Sequence, residues 1–597
     1  MSLLQFSDYR SQDHVDIAIV GAGISGLYCA WRLIKDDPSR KIAIIERLNR
    51  TGGRLDTDIV EIKPGEKVRE EEGGMRFNYD MHELMNLNKA LNLCDQIVDF
   101  PMGSDGDTNR FLVRGYDFTV AEANASGNMI WGEIYDLKPE ERGLSPTDLV
   151  TNAYKNVLFE NGAKYKPREP DFWTKFRNDF TWNGKKMNEW QLWGLLRDMN
   201  YSEECIQMLT ETIGFAGPFL SLANAGDAFQ ILADFPKDPT YYTFQKGFST
   251  LPDAIVQDLE TNYADNVSIY LSTNVDSIRQ RRNGEFDLSM TKAPDELDSK
   301  HFIPGGRPKA MTADKLVLAV ATKGMQNLFA TSPALNRSRD ARRFWESIGA
   351  AMGMKLMKIN LYFDKPWWEN GQTSRPAIQF GPNFTNLPVN AVYPFYSLPA
   401  GVKTATNDDD DSGIRDAAAA LTIYCDFNNT NFWKGLQNIG PMFTSELQEK
   451  QNDKKPQTLY AASRAVVDEA KKQLQALFGV NWIPEPVLTS YRLWNGENDF
   501  EFAYHQWQLN VDDKDVRAYL SNPMDNVYCC NEAISDMQGW VNGSLRSVNM
   551  ALAHFGLDPM PKDPCTESQS TKAQPIMMSS ADEAPEPKKA RMGLWGG

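Results

Sequence analysis

Gly21, Gly23 and Gly26 carry the first chemical signal. They stand in G-x-G-x-x-G spacing between the apolar run 15–20 and the segment 27–34. The run reads as a buried parallel strand, and the segment after the glycines reads as a helix. Gly21 permits the tight turn, Gly23 lets backbone approach a pyrophosphate, and Gly26 lets helix and strand pack closely. The helix N-terminus then offers unpaired N–H groups and a positive dipole end to phosphate oxygens. A second strand, 42–45, ends in Glu46, an acid placed to accept hydrogen bonds from an adenosine ribose. The glycine motif alone is weak evidence. Strand, turn, helix, strand and acid in this order make a complete dinucleotide-binding unit.

The elements that must hold this unit recur far along the chain. A charged, hairpin-like segment leads to Glu70-Glu-Glu-Gly-Gly-Met-Arg-Phe77, and 80–93 reads as a helix. Residues 120–240 are rich in helical signals, with Trp173, Trp182, Trp190 and Trp193 read as core of an inserted subdomain. Short strands are expected near Tyr241, at 267–271 and at 275–278. A buried strand over 313–322 ends in small residues, as strands running to a cofactor do. Further strands are expected over 352–362, around Tyr424 and at 526–530, and helices over 461–478 and 539–555. The loop 404–413 is acidic and reads as solvated; no metal site is expected. After Gly556 the composition turns polar and proline-rich, so 557–597, with the basic cluster 587–591, is expected to be disordered.

The totals narrow the classes. A chain of 597 residues predicts more than one domain, and 42 % apolar residues is ordinary for a globular protein. A net charge of −17 argues against nucleic acid or an anionic membrane as the main partner. Seven scattered cysteines suggest neither a disulfide framework nor a zinc site. With no signal peptide or membrane span evident, the expected compartment is a reducing cytoplasm.

Four separated segments resemble one family. The N-terminal unit with Gly52-Gly-Arg54 is similar to the flavin-containing amine oxidases, and Glu71-Glu-Gly-Gly-Met-Arg-Phe77 resembles their L-amino acid oxidase branch. Lys358, ten residues before a tryptophan, resembles the family's active-site lysine. Asn531-Glu-Ala-Ile-Ser-Asp-Met-Gln-Gly-Trp-Val-Asn-Gly is similar to its closing motif, except that Asn531 stands where the family usually has Gly. The implied fold is α/β: a Rossmann-type (GR2-like) FAD-binding domain, a mixed-sheet substrate-binding domain and an inserted helical subdomain. The expected boundaries are 12–80, 241–330 and 485–556 for the first, 81–120 and 331–484 for the second, and 121–240 for the insert.

The resemblance also assigns roles. Gly21, Gly23, Ser25, Gly26, Glu46, Arg47, Gly53, Arg54, Gly74, Met75, Arg76, Val275, Glu532, Gly539, Trp540 and Val541 are implied to contact a non-covalent FAD. Arg54 is implied near the pyrophosphate and flavin, Glu532 on a ribityl or ribose hydroxyl, and the Val541 N–H on the flavin pyrimidine. Arg76 is implied to grip the substrate carboxylate, since a planar guanidinium pairs bidentately with it. Tyr393 would give the same carboxylate a second bond. Trp540 would wall the substrate cage, Lys358 would hold a water at the flavin and aid reaction with oxygen, and His505 would border the pocket. The implied activity is oxidative deamination of L-amino acids to 2-oxo acids, ammonia and hydrogen peroxide, in a homodimer. An amino acid 2-monooxygenase giving an amide stays open, as does a largely non-catalytic flavin-bearing interaction protein. A simple-amine oxidase fits less well, because Arg76 would then face no carboxylate.

Overall fold

The computed structural model describes residues 13–100, 102, 109–164, 166, 171–233, 240–293, 309–369, 381–397, 416–454, 461–497 and 501–566. The apolar runs 17–20, 42–45 and 316–318 have no polar side, so both faces must be covered. They lie together in a seven-stranded sheet. Its spatial order is Val267–Tyr270, Ile42–Ile45, Asp13–Val20, Lys309–Leu318, Phe286–Lys292 and Thr273–Gln280, with Val527–Cys529 also on Lys309–Leu318. Asp13–Val20 runs parallel to both neighbours, with Ile19 opposite Ile44 and Val317. Ile17, Ile19, Ile42 and Ile44 pack on one side with the Ile24–Asp36 helix; Ala18, Val20, Ala43 and Ile45 pack on the other. Gly26 sets the helix–strand distance, because a Cβ there would lie 1.9 Å from the Gly21 carbonyl oxygen.

A second seven-stranded sheet runs Leu488–Trp494, Leu356–Phe363, Ala419–Asp426, Ala391–Tyr396, Asn383–Thr385, Arg110–Val113 and Tyr116–Thr119. It is mixed, with Asn383–Thr385 parallel to Arg110–Val113 and the other pairs antiparallel. Leu356–Phe363 is buried along its whole length. The two-residue repeat of a strand sorts it. Met357, Ile359, Leu361 and Phe363 join an apolar cluster with the Arg464–Phe478 helix. Lys358 and Asn360 turn to the Thr57–Lys63/Glu66–Glu71 hairpin, where Asn360 Nδ2 donates to Glu72 (3.0 Å) and Lys358 Nζ to the Glu71 carbonyl (2.6 Å).

Between these parts lies a helical insert, from Val120–Ala125 to Ala225–Ala233, broken by a two-stranded hairpin at Thr181–Trp182 and Lys185–Lys186. Trp173 is buried in its core, and Trp182, Trp190 and Trp193 pack half-buried against it.

Several expectations need correction. Leu488–Trp494 was expected with the nucleotide-binding segments but pairs with Leu356–Phe363 in the second sheet. Tyr241–Phe244 pairs with Ile97–Phe100 in a separate ribbon. Residues 557–566 are packed: Leu557 is buried, and the Cys565 N–H donates to the Met85 carbonyl at 3.1 Å. Cys565 is joined to Cys94 by a disulfide across 471 positions. Two cysteines so far apart leave no spacing pattern to read. Such cross-links persist in oxidising compartments, so this bond stands against the expected reducing cytoplasm and against the expectation of no disulfide framework. The acidic loop 404–413 and the basic cluster 587–591 lie outside the described residues. Among the described residues, no helix is long and apolar enough to cross a membrane.

Candidate active site

The glycine turn opens on a cleft of about 710 Å³ at the C-terminal ends of the parallel strands. Gly21 sits at φ +106°, and a Cβ on it would lie 2.8 Å from the Ala319 carbonyl oxygen. Gly23 caps the Ile24–Asp36 helix with no side-chain cap, so the first N–H groups face the cleft. Gly53, at φ +61°, comes so close that its Cβ would stand 3.2 Å from Gly23 Cα. Glu46 is held at the end of its strand by the N–H groups of Ala22 (2.7 Å) and Leu48 (2.8 Å), one to each carboxylate oxygen. Burial pushes its carboxyl up, against these two donors. Each oxygen keeps acceptor capacity for a ribose. Ser25, Arg47, Val275 and Asn531 also line this cleft. Side-chain-free turns, open helix N–H groups and an oriented acid fit the ADP half of FAD.

Asn531 does not crowd the cleft. Its φ of −175° is extended backbone, so no tolerance of left-handed geometry is needed. Its Nδ2 donates to the Val320 carbonyl (2.9 Å), and its Oδ1 accepts from the Ala533 N–H (2.8 Å). The side chain clamps two segments where the expected glycine would leave a gap.

The cleft meets a smaller inner cavity of about 150 Å³. Arg54, Gly74, Ala503 and the run Gly539, Trp540, Val541 line both. Beneath this junction Glu532 is fully engaged. Arg54 Nη1 (2.7 Å), the His505 N–H (2.9 Å), His505 Nδ1 (3.0 Å) and the Gly539 N–H (2.7 Å) take its four acceptor positions. Burial opposes ionisation here, but the Arg54 charge and then His505 hold the carboxyl down at about 2. Glu532 lines the outer cleft, and through these bonds it also fixes Arg54 and the Gly539 N–H at its edge. His505 needs correction: it is fully buried, touches Thr322 Oγ1 with Nε2 (2.8 Å) and lines neither cavity. It positions Glu532.

Met75, Arg76, Lys358 and Trp540 line the inner cavity together. Arg76 does not line the outer cleft, so its expected contact with FAD is confined to the inner end. Its guanidinium lies over the Tyr241 ring (4.8 Å) and the Phe100 ring (5.6 Å), 3.6 Å from Met102 Sδ. Glu71 and Glu72, the acids nearest in sequence, hold other partners: Thr57 and Phe248 for Glu71, Asn360 and Ser490 for Glu72. Tyr393 lies behind Arg76 and is hydrogen-bonded to it; burial raises its hydroxyl, against the Arg76 charge. Lys358 Nζ donates to the carbonyls of Glu71 (2.6 Å) and Gly73 (2.8 Å) and touches Met75 Sδ (3.4 Å). Burial pushes its amine down to about 8, against the three nearby glutamates. Lys355, three residues earlier, reaches Asn431 on the surface instead. Trp540 stacks on Tyr241 at 6.4 Å. Cys529 and Cys530 line neither cavity.

Sequence reasoning missed Tyr241, Phe215, Tyr424, Tyr504 and Trp494. They come from five segments with no shared motif. The one available signal was aromatic density in strands bordering recognised motifs, as in Tyr504 beside His505.

An α/β protein with a glycine-turn nucleotide cleft opening on a cation-lined inner cavity is a flavin-dependent oxidoreductase in make-up. The sequence profile of the family described as flavin containing amine oxidoreductase matches residues 24–414. The chain belongs to this family, and its cofactor is FAD, bound without a covalent link. It is 24% identical to aplysianin-A of Aplysia kurodai, over 94% of this chain and 93% of that protein. Achacin of Lissachatina fulica is 23% identical, over 86% and 87%. The L-amino-acid oxidase BmooLAAO-I of Bothrops moojeni is 19% identical, over 89% and 87%. Among solved structures, cyclohexylamine oxidase from Brevibacterium oxydans superposes with a TM-score of 0.56 at 15% identity, covering 90% of this chain and 98% of that one. A wild-type putrescine oxidase bound to putrescine gives 0.55 at 16%, covering 92% and 100%. These two likenesses show the shared fold.

Proposed function

We propose that the protein oxidatively deaminates L-amino acids, giving 2-oxo acid, ammonia and hydrogen peroxide. The observation that carries this reading is Arg76, a guanidinium that lines the inner cavity together with Trp540. Simple amines have no group for such a cation to hold. Arg76 would take the substrate carboxylate in a two-point grip, with Tyr393 orienting the guanidinium from behind. Fixing the acid end in this way fixes which face of Cα is presented, and orientation of this kind is worth several kcal/mol in favourable cases. Trp540, backed by the Tyr241 ring, would exclude water from the reacting end. Lys358 places a cation of adjustable charge on the same cavity, held by two carbonyls of the segment that carries Arg76. When bound, FAD supplies the two-electron oxidation of the C–N bond and the reaction with oxygen.

The test is anaerobic mixing of the FAD-loaded protein with L- and D-amino acids. Bleaching of the yellow flavin by L-isomers only, with 2-oxo acid and peroxide released in air, is the expected result. An amide product would assign the monooxygenase reaction instead. No bleaching by any amino acid would leave a flavin-bearing protein without this activity.

A further inference from the structure

We propose that Glu72 is the counter-charge of Lys358 and that Glu70, beside it, is kept as the neutral acid, so that the pair puts one negative charge behind the inner cavity and holds its lysine in the charged form. This deepens the reading above, in which Lys358 is the cation beside Arg76. Glu70, Glu71 and Glu72 are consecutive and all buried, which is costly for carboxylates, and the chemistry above uses none of them. Lys358 is 3% exposed, and its ammonium donates to no carboxylate: its partners are the carbonyls of Glu71 and Gly73 and the Met75 sulfur. The Tyr424 ring lies 5.1 Å away, and Arg76 adds a charge of the same sign. A buried ammonium on neutral partners needs a carboxylate nearby to stay charged.

The two-residue repeat of a strand sorts the three candidates. Glu71 faces the cofactor half, where it accepts from Thr57 Oγ1 (2.6 Å) and the Phe248 N–H (3.0 Å), with Arg69 Nε 3.9 Å away. Glu70 and Glu72 face the second sheet, to which Lys358 belongs. Glu72 is the one carboxylate among the described residues that lines the inner cavity. Its Oε1 accepts from Asn360 Nδ2 (3.0 Å) and Ser490 Oγ (2.8 Å), and its Oε2 has no hydrogen-bond partner. Asn360 follows Lys358 by two residues on the same strand face, so Glu72 lies one rung from the lysine. Arg492, opposite Lys358 in register, also acts on Glu72 and stands 3.2 Å from Asp56 Oδ2. Glu70 is poorer in partners. Asp58 stands opposite it in the hairpin, the neutral Thr422 hydroxyl donates to its Oε2 (2.8 Å), and its Oε1 has no partner. Burial drives the Glu70 carboxyl well above the usual carboxylate range, against Thr422; it also raises Glu72, against Arg492 and Ser490. Two carboxyls two residues apart on one dry face do not both ionise. The one with two donors and a guanidinium keeps the charge.

The experiment reads binding, not turnover. The FAD-loaded protein is titrated with 4-methylpentanoate, a carboxylate without an amine, and the flavin absorbance change is followed across about pH 6–10, where the charge of the ligand is constant. Wild-type affinity should break downward above about pH 8, where Lys358 loses its proton. Lys358→Met should bind weakly and show no break. Glu72→Gln keeps an acceptor for Asn360 and Ser490 and loses the charge, so the break should move down by about one pH unit or more. Glu70→Gln should leave the break in place and remove a protonated-carboxyl band from the infrared spectrum. If Glu72→Gln fails to load FAD, Glu72→Asp replaces it, with a smaller downward move expected. An unmoved break in the FAD-loaded Glu72 variant overturns the proposal, as does an equal move in Glu70→Gln, or infrared spectra of wild type and Glu70→Gln that do not differ in that band. If 4-methylpentanoate does not bind, the amino acid reading fails; the break is then read from reoxidation of the dithionite-reduced protein by oxygen, and the same shifts decide the pairing.

Discussion

Replacing Arg76 by Ala tests the central geometry most directly. Arg76 is 6% exposed, its guanidinium flanked by the Tyr241 and Phe100 rings, so a carboxylate on it would be largely shielded from water. Truncating one partner of a buried, hydrogen-bonded charge pair costs roughly 2–5 kcal/mol. At about 1.4 kcal/mol per tenfold, kcat/KM for an L-amino acid should fall by roughly 30- to 4,000-fold. Arg76→Lys keeps the charge and loses the fork, so its loss should be smaller. The FAD content should not change in either variant, because Arg76 lies off the outer cleft. The assay is peroxide release from L-leucine, with 3-methylbutylamine as a control that has the same side chain and no carboxylate. The loss should appear for the amino acid and be absent for the amine. An FAD-loaded Arg76→Ala protein that keeps kcat/KM for L-leucine within about threefold would refute the reasoning.

Three further outcomes are expected. Lys358 loses its proton near pH 8, so stopped-flow reoxidation of the reduced protein by oxygen should slow above that pH, and Lys358→Met should be slow throughout and flat; a variant equal to wild type at pH 7 removes the lysine from this role. The Glu532 carboxyl sits at about 2 in the fold against an ordinary 4.5, so it contributes stability that is complete above about pH 4.5 and drains away as the pH falls toward 2. Glu532→Gln should therefore cost up to about 3 kcal/mol at pH 7 and flatten the fall of Tm between pH 5 and 3; an unchanged acid limb contradicts this. Reduction of Cys94–Cys565 should lower Tm, since the cross-link spans 471 positions and chain-entropy arguments give on the order of 5 kcal/mol for so large a loop; equal Tm with and without reductant excludes the bond.

The nucleotide half was legible because its signals are local. Gly21, Gly23, Gly26 and Glu46 lie within 26 residues of one another, and Gly21 and Gly26 sit where a Cβ would strike backbone. Arg76 and Lys358 were legible only by resemblance, since nothing in their own neighbourhoods shows that they share a cavity. What remained hidden is non-local. The resemblance implies that His505 borders the pocket, but Glu532, 27 positions on, draws it inward. The Cys94–Cys565 pair and the Leu488–Trp494 strand depend on contacts that no periodicity encodes. The cavity aromatics Phe215, Tyr424 and Tyr504 come from the insert and two separate strands, and each would serve equally well in a core.

Lys358 belongs to the second sheet, yet it grips the carbonyls of Glu71 and Gly73 at the end of the hairpin that leads out of the nucleotide-binding half. One ammonium thus keys the two halves together five and three residues before the arginine. The halves are not freely exchangeable modules for that reason. A chimera joining this cofactor half to a foreign catalytic sheet would fold and load its cofactor, yet hold the arginine out of register unless the donor sheet brought a cation to the same rung.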